Sequence, residues 1–421
     1  MGIVKGTVAL AASAIGRSNR KRKLRKNDQA NERNKNIVNL GTTPISNVLS
    51  NTIMQNVIVS GGSGNIRLQF ILHKCIQDSN ANIPVVILHE GNSFLENALL
   101  STLPTNRYIR IISKHNPFYD PIFRTNSTEA GVIISEAFPD IDENGVLLIN
   151  AVCRILQYKG TPYLKKFENC PYDQLSTGVV RFEQSGLINQ FESTTVQNNI
   201  STGLSSRSQV EMAFSKLFTE SDIFPEKNDL SRATSISDCS NHKGGIILID
   251  ISTMQRKNIV SLLSAEIKAV LKTGNPLSVI IDAQSISNNK ILLDVLSCTG
   301  PSLSWMLSSP NISEMIGKDD GALSKWLSSS GKAIIFSHNQ FASQLLSKGF
   351  GEYDHIDIQQ SLGGNNGIGQ QFGFHYGGQA GFTQSIKREP RVKPEEIVNL
   401  APNNYFLLDN CRGELGRGIV K

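Results

Sequence analysis

Cysteine is scarce in this sequence, and its six cysteines form no recognisable metal-binding or disulfide pattern. They stand far apart in 421 residues, without a Cys-x-x-Cys pair and without histidine at ligand spacing. Neither a zinc site nor a disulfide framework is indicated, and we expect a reducing, cytoplasmic compartment. The weakly apolar residues 2–16 are interrupted by Lys5 and are shorter than the roughly 20 residues that span a bilayer.

Outside one short segment, the chain has no excess of either positive or negative charge. The formal net charge is +6, but residues 17–26, RSNRKRKLRK, contain seven of the 42 lysines and arginines. Such a basic arm is attracted to anionic lipid and to nucleic-acid phosphate, whereas a solvated tail is the alternative. The apolar segment before the arm favours an anionic membrane surface as its partner, at the inner face of the cell membrane.

Short apolar runs rich in β-branched residues alternate with helical patterns beyond residue 36. This alternation predicts an α/β fold whose mainly parallel sheet is covered on both faces. The predicted strands lie within residues 56–62, 83–91, 107–113, 244–252, 277–285, 332–340 and 404–410. Predicted helices between them include residues 66–77, 258–272, 289–300 and 341–350.

Residues 124–240 interrupt this alternation, because they are polar and helical wherever they are periodic. We therefore predict an inserted, mainly helical domain there, between two parts of an α/β domain at residues 37–123 and 241–411. An apolar segment and basic arm (1–36) and a tail (412–421) complete the predicted division. Residues 361–385 are rich in glycine and aromatics, which is typical of a mobile loop or an interaction surface.

The segment VIVSGGSGNIRLQF, residues 57–70, has the strand, glycine-rich turn and helix of a phosphate-binding loop. Such a loop requires GxxxxGK[ST], because backbone N–H groups cradle the phosphates, the lysine contacts the outer phosphates and the hydroxyl binds Mg²⁺. Aligned on Gly61, the segment keeps Gly64. Ile66 replaces the second required glycine, Arg67 replaces the lysine, and Leu68 replaces the hydroxyl residue.

A second requirement is a strand that ends in an aspartate followed by a glutamate, which activates the attacking water. The segment LSVIIDAQS supplies Asp282 but has Ala283 where the glutamate belongs. Another strand-end carboxylate, Asp250, is either part of the site or a helix cap. The strand KAIIFSHNQ ends in polar residues 337–340, where a side chain could sense a phosphate.

In order of elements the chain resembles the TraD/TraG-type coupling-protein ATPases of conjugation and type IV secretion, within the FtsK–HerA superfamily. The resemblance covers residues 50–411 and rests on the segments VIVSGGSGNIRL, IPVVILHEGNS, HNPFYDP, SVIIDAQS, KAIIFSHNQFASQLLSKGFGE and KREPRVKPEEIVNLAPNNYFLL. It implies a RecA-like P-loop NTPase fold, ATP as the cofactor, and rings that pass DNA or protein substrates to secretion machinery. The nucleotide-site positions that it implies are Gly61, Gly62, Ser63, Gly64, Arg67, Asp282 and Gln340.

The departures from that family are concentrated in its chemistry, since the lysine, the Mg²⁺-binding hydroxyl and the catalytic glutamate are all absent. We therefore predict no catalytic residue and no metal ligand, and interpret the chain as a pseudo-ATPase that recruits or passes substrates. The alternative is an active ATPase in which Arg67 contacts phosphate and Glu90 or Asp250 supplies the acid. A dinucleotide-binding enzyme is disfavoured, because Arg67 stands at the third glycine of GxGxxG.

Overall fold

The structure is a computed structural model, and it describes residues 21–104, 106–160, 162–252, 257–283, 289–297, 301–317, 319–364 and 378–421. Strands and helices alternate along most of this part of the chain. The strands are β1 (Ile37–Thr43), β2 (Val57–Ser60), β3 (Val85–His89), β4 (Ile109–Ile112), β5 (Ile246–Asp250), β6 (Leu277–Asp282), β7 (Leu303–Ser309), β8 (Lys332–Ile335), β9 (Glu352–Gly364), β10 (Gly378–Pro390), β11 (Asn404–Asp409) and β12 (Glu414–Val420).

The helices follow the predicted periodicity at most positions. Helix α1 is described over residues 21–35. The other α-helices are α2 (Ile45–Val48), α3 (Gly64–Asn80), α4 (Ser93–Thr102), α5 (Ser127–Ala137), α6 (Glu143–Tyr158), α7 (Leu175–Gln184), α8 (Gln190–Gly203), α9 (Arg207–Glu220), α10 (Ile236–Ser240), α11 (Lys257–Lys272), α12 (Asn289–Ser297), α13 (Ile312–Ile316), α14 (Asp320–Ser329), α15 (Gln340–Gly349) and α16 (Pro394–Val398). Short 3₁₀ turns cover Leu164–Phe167, Tyr172–Gln174, Leu204–Ser206 and Lys227–Arg232.

Ten strands form one sheet in the order β1-β12-β11-β8-β2-β7-β6-β3-β5-β4. The seven strands from β8 to β4 are parallel, and β11 is antiparallel to both β8 and β12. The prediction of a mainly parallel α/β fold is confirmed. All seven strands predicted from the sequence are present, and β2, β5, β6 and β8 lie in one parallel sheet as expected.

The central strands are apolar on both faces because each face is covered by helices. In β3, Val86 and Leu88 belong to one buried cluster, whereas Val85 and Ile87 belong to the cluster on the opposite face. The second cluster also contains Phe70 of α3. Continuous apolar runs are therefore required in these strands, in agreement with their sequences.

Strand β7 was missed by sequence reasoning, although it lies between β2 and β6 at the centre of the sheet. All seven of its residues are buried. Its sequence, LSWMLSS, contains three serines, which interrupt the apolar run that marks a buried strand. The predicted tail also differs, since residues 414–420 form β12 between β1 and β11.

Residues 124–240 contain helices and 3₁₀ turns but no named strand within their described part. Their apolar side chains, among them Leu148 of α6 and Phe214 of α9, belong to the same buried cluster as one face of the sheet. The division of the chain into domains stays a prediction.

The glycine-rich residues 361–385 are in large part strand. Residues 361–364 end β9 and residues 378–385 begin β10, and these two strands pair with each other as a separate antiparallel ribbon. The ribbon accounts for part of the segment that was predicted to be a mobile loop or an interaction surface, and residues 365–377 lie outside the described residues. In the described part of the chain, no helix is both long enough and apolar enough to cross a membrane.

Candidate functional site

The turn after β2 has a backbone shape that only glycine accepts easily. Gly61 and Gly62 have φ angles of +80° and +70°. A Cβ atom at Gly61 would lie 2.6 Å from the carbonyl oxygen of Ser337, and one at Gly62 would lie 3.0 Å from Cγ of Phe336. These two predicted loop glycines are thus required by both conformation and space.

Helix α3 begins directly after this turn, with Ser63 as its N-cap. The Ser63 hydroxyl accepts a hydrogen bond from the Ile66 N–H at 3.3 Å. Gly64 and Asn65 are exposed, so the positive end of α3 is open to solvent. Ile66 and Leu68 instead pack against the buried cluster beneath the helix. Leu68 thus packs a partly buried apolar side chain against the core at the position where a Mg²⁺-binding hydroxyl would stand.

Arg67 folds back over the turn that precedes its own helix. Its Nη1 donates to the carbonyl oxygens of Gly62 and Gly61, at 3.0 Å and 3.3 Å. Burial lowers the pKa of Arg67 from its ordinary value, while the negative charge of Asp282 acts in the opposite direction. A guanidinium keeps its proton at any physiological pH, so the loop carries a fixed internal cation.

Asp282 ends β6 and is held by two polar neighbours. Its Oδ1 accepts a hydrogen bond from the Ser308 hydroxyl at 2.8 Å, and its Oδ2 accepts one from Asn92 Nδ2 at 3.2 Å. The next residue, Ala283, is buried in the apolar cluster on the face of the sheet opposite to α3. The position expected for a water-activating acid therefore contributes to apolar packing instead.

His89 stands in register between Asp250 and Asp282 on three adjacent strands. The imidazole is fully buried; its Nδ1 accepts a hydrogen bond from the Asn92 N–H at 3.0 Å, and its Nε2 lies 3.7 Å from Glu96 Oε1. Burial lowers the pKa of His89, opposed by the charges of Asp250 and Asp282. A neutral imidazole therefore separates two strand-end carboxylates.

Sequence reasoning left His89 out of the site. The signal that could have found it is its place at the end of VVILH, a buried strand like those that end in Asp250 and Asp282. Because parallel strands end at the same edge, three polar strand ends are expected to be neighbours.

Among the polar side chains that follow β8, the imidazole of His338 contacts the end of β2. Its Nε2 lies 2.9 Å from the Ser60 hydroxyl, which also accepts a hydrogen bond from the Ile312 N–H at 3.1 Å. Gln340 is exposed as the first residue of α15, and the Ser337 hydroxyl donates to the carbonyl of Val398. The His338 imidazole thus lies beneath the glycine turn, whereas Gln340 is exposed.

The arrangement does not fit a Mg²⁺-nucleotide complex, although its backbone resembles a phosphate-binding loop. Leu68 offers no oxygen ligand and Ala283 offers no acid, and both side chains lie in apolar packing. No group of three or more His, Cys, Asp or Glu side chains in the described residues could hold a metal ion. The roles predicted for the loop residues, Arg67, Asp282 and Gln340 stay predictions.

No family model matches the sequence, and no curated protein matches it. Among solved structures, the chain is similar to the bacterial conjugative coupling protein TrwBdeltaN70 in its unbound monoclinic form. The TM-score is 0.52 at 14% identity, over 93% of this chain and 91% of that one. The chain has the fold of a conjugative coupling protein.

Two further solved structures show weaker similarity. The plasmid coupling protein TrwB in complex with ADP and Mg²⁺ has a TM-score of 0.49 at 13% identity, over 93% of this chain and 91% of that one. VirB4 of Thermoanaerobacter pseudethanolicus has a TM-score of 0.34 at 10% identity, over 70% of this chain and 80% of that one. The predicted resemblance to coupling proteins is confirmed at the level of the RecA-like, coupling-protein fold.

Proposed function

We propose that the chain is a coupling-protein-like subunit of a conjugation or type IV secretion apparatus that does not hydrolyse ATP. It recruits or passes DNA or protein, as part of a homo- or hetero-oligomeric ring. The coupling-protein fold supports the type of apparatus. The observation that carries the loss of hydrolysis is that Ala283 is buried in one apolar cluster, whereas the partly buried Leu68 packs against the cluster on the other face of the sheet.

This placement matters because a carboxylate cannot take the place of Ala283 without entering the buried cluster. A carboxylate at position 283 would be buried there, and burying an unpaired polar group costs about 1–3 kcal/mol or more. Catalysis of phosphoryl transfer depends on positioned Mg²⁺ and a positioned nucleophile, and the protein supplies little else. The sheet therefore keeps its architecture without the groups that carry the reaction.

The loop itself retains an attraction for anions. The exposed N-terminal end of α3 and the guanidinium of Arg67 both favour a phosphate group. Because Leu68 provides no metal ligand, nucleotide binding at this loop is expected to be weak and independent of Mg²⁺.

An active ATPase with a deviant loop is the second candidate, and the retained Asp282 favours it. Asp250 is a poor replacement base. Burial raises its pKa, but hydrogen bonds from Ser252 and the Gly91 N–H outweigh this effect and leave the pKa below its ordinary value. Glu90 is exposed at the same edge of the sheet and is the carboxylate that this candidate requires.

Isothermal titration calorimetry with ATP and ADP, each with and without Mg²⁺, tests the proposal. We expect either no heat or weak binding that Mg²⁺ leaves unchanged and that Arg67→Ala abolishes. Arg110→Ala is the matched control, since it removes an exposed arginine on β4. Tight, strictly Mg²⁺-dependent binding that is lost in Asp282→Ala would favour the active ATPase instead.

The membrane contact predicted for the basic arm stays a prediction, with nucleic-acid phosphate as its alternative. Residues 1–20, which contain the apolar segment that favoured it, lie outside the described residues. Deleting residues 1–26 and measuring co-sedimentation with anionic liposomes tests that prediction directly.

A further inference from the structure

Helix α1 is fixed to the edge of the β9–β10 ribbon by three asparagines, which we name the asparagine clasp (Asn27, Asn31 and Asn34). Asn31 Nδ2 donates to the carbonyl of Ile356 at 3.0 Å, and its Oδ1 accepts from the Ile356 N–H at 2.8 Å. Asn27 Nδ2 donates to the same carbonyl at 2.8 Å, and Asn34 Nδ2 donates to the carbonyl of Asp354 at 3.0 Å.

The clasp satisfies the backbone of an edge strand in the way a neighbouring strand would. One side-chain amide of Asn31 supplies both the donor and the acceptor that Ile356 needs. Arg391 adds to the docking, because its guanidinium donates to the carbonyls of Lys35 and Asn36 at 2.9 Å and 2.8 Å. Helix α1 is therefore a positioned element and not a free arm.

The clasp determines which face of α1 meets solvent. Positions 27, 31 and 34 repeat at helical spacing and share one face, since each residue turns the helix by about 100°. Arg22, Arg25, Lys26 and Arg33 repeat at the same spacing on the opposite side, and all four are exposed. We name these four residues the basic face.

We propose that the basic face of α1 is a docking site for the phosphodiester backbone of a nucleic acid. From position 22 to position 33 the helix rises about 17 Å at roughly 1.5 Å per residue. Duplex DNA carries one negative charge per roughly 1.7 Å of its axis, so this length of helix can meet several phosphates at once.

The composition of the helix favours a nucleic acid over a membrane. An interfacial membrane helix inserts a broad apolar face beside its basic residues. In the described part of α1, Leu24 is the one large apolar side chain, and the face opposite the basic residues is occupied by asparagines bound to β9. The acidic residues of the helix are Asp28 and Glu32, and Glu32 lies 3.5 Å from Lys35.

The test uses the full chain and measures binding of labelled single- and double-stranded DNA by fluorescence anisotropy at several salt concentrations. The basic-face variant is Arg22→Gln, Arg25→Gln, Lys26→Gln and Arg33→Gln. Its matched control is Lys216→Gln, Lys243→Gln, Lys268→Gln and Lys325→Gln, which removes four exposed lysines elsewhere.

We expect the basic-face variant to bind DNA at least about tenfold more weakly and the control to bind as the parent does. The slope of log affinity against log salt should fall in magnitude by about 3, since each lost phosphate contact contributes about 0.7 to 0.9. Equal losses of DNA affinity in both variants would show that the net charge of the chain alone determines binding. That result would overturn the proposal that the basic face is the docking site.

A second variant tests the role of the clasp. Asn27→Ala, Asn31→Ala and Asn34→Ala keep every charge but release the helix, so affinity should fall while the salt slope is kept. Hydrogen exchange at the Ile356 amide should become faster, which confirms release. Unchanged DNA affinity after release would contradict the positioning role. Binding to phosphatidylserine vesicles in place of DNA, or to neither, would overturn the proposal.

Discussion

The Ser60 hydroxyl and the His338 imidazole meet at 2.9 Å beneath the glycine turn, and both side chains are buried. This contact joins the end of β2 to the segment between β8 and α15, which carries the polar residues expected to sense a phosphate. Burial lowers the pKa of His338 to about 4. The imidazole is therefore neutral at physiological pH, and the turn rests on an uncharged hydrogen bond.

The pH dependence of stability follows from this lowered pKa. Between about pH 4 and 6.5 the unfolded chain binds a proton at position 338 that the folded chain does not, so stability falls as the pH falls through this window. We expect His338→Gln to remove up to about 3 kcal/mol of this dependence. Urea unfolding of the parent and variant at pH 4.5 and 7.5 measures it; parallel pH profiles would contradict the buried neutral imidazole.

Glu266 of α11 should make stability depend on pH in the opposite direction. Its carboxylate accepts hydrogen bonds from Tyr119 Oη at 2.7 Å and from the Ser237 N–H at 2.8 Å, and burial raises its pKa to about 7. Stability from this group is complete below the unfolded pKa of about 4.5 and is lost as the pH rises through 7. Glu266→Gln should thus gain stability relative to the parent between pH 4.5 and 7.5; a constant difference would show that the carboxyl ionises normally.

The pair formed by Lys74 and Asp78 on α3 is fully buried. Lys74 Nζ lies 2.9 Å from Asp78 Oδ2 and donates to the carbonyl of Thr52 at 2.6 Å, while Ser278 donates to Asp78 at 2.6 Å. We expect Asp78→Asn to cost about 3–5 kcal/mol, because it leaves a buried ammonium unpaired.

The matched control for this pair is the double variant Lys74→Met, Asp78→Leu, which removes both charges and keeps most of the volume. It should lose less stability than the single variant, and chemical denaturation compares the two. A single variant as stable as the parent would mean that the buried charges are not coupled.

Restoring the loop sequence separates binding from hydrolysis. Ile66→Gly, Arg67→Lys and Leu68→Thr together give the residues of a phosphate-binding loop, and we expect nucleotide binding that now depends on Mg²⁺. Hydrolysis should stay absent, because Ala283 still lies in the buried cluster on the other face. Calorimetry measures nucleotide binding, and phosphate release measures hydrolysis. The double variant Ile66→Gly, Leu68→Thr keeps Arg67 and serves as the control for the side-chain cation.

Much of the fold could be predicted because its strands are simple apolar runs. The segments ending in Ser60, His89 and Asp282 show the continuous β-branched character that burial on both faces requires. Strand β7 could not be found in this way, since it contains three buried serines, and two of them, Ser308 and Ser309, form hydrogen bonds with Asp282 and with the Asn311 N–H. Only the folded sheet supplies those partners.

The site was predictable in its backbone and less so in its side chains. The positive φ angles of Gly61 and Gly62 are what the glycine-rich pattern predicts. The contact of His338 with Ser60 depends on the pairing of β8 with β2, which are far apart in sequence. The asparagine clasp of α1 is likewise a tertiary contact, and spacing alone marks it only as a polar helix face.

The most direct test of the central claim is the steady-state rate of phosphate release from ATP by the full chain with Mg²⁺, in the presence and absence of DNA. We predict no release above background, because Leu68 packs an apolar side chain where a Mg²⁺ ligand is needed and Ala283 is buried where a water-activating acid is needed. A turnover near about one per second, which typical enzymes reach, would contradict the account if it vanished in Asp282→Ala and persisted in the control Asp28→Ala.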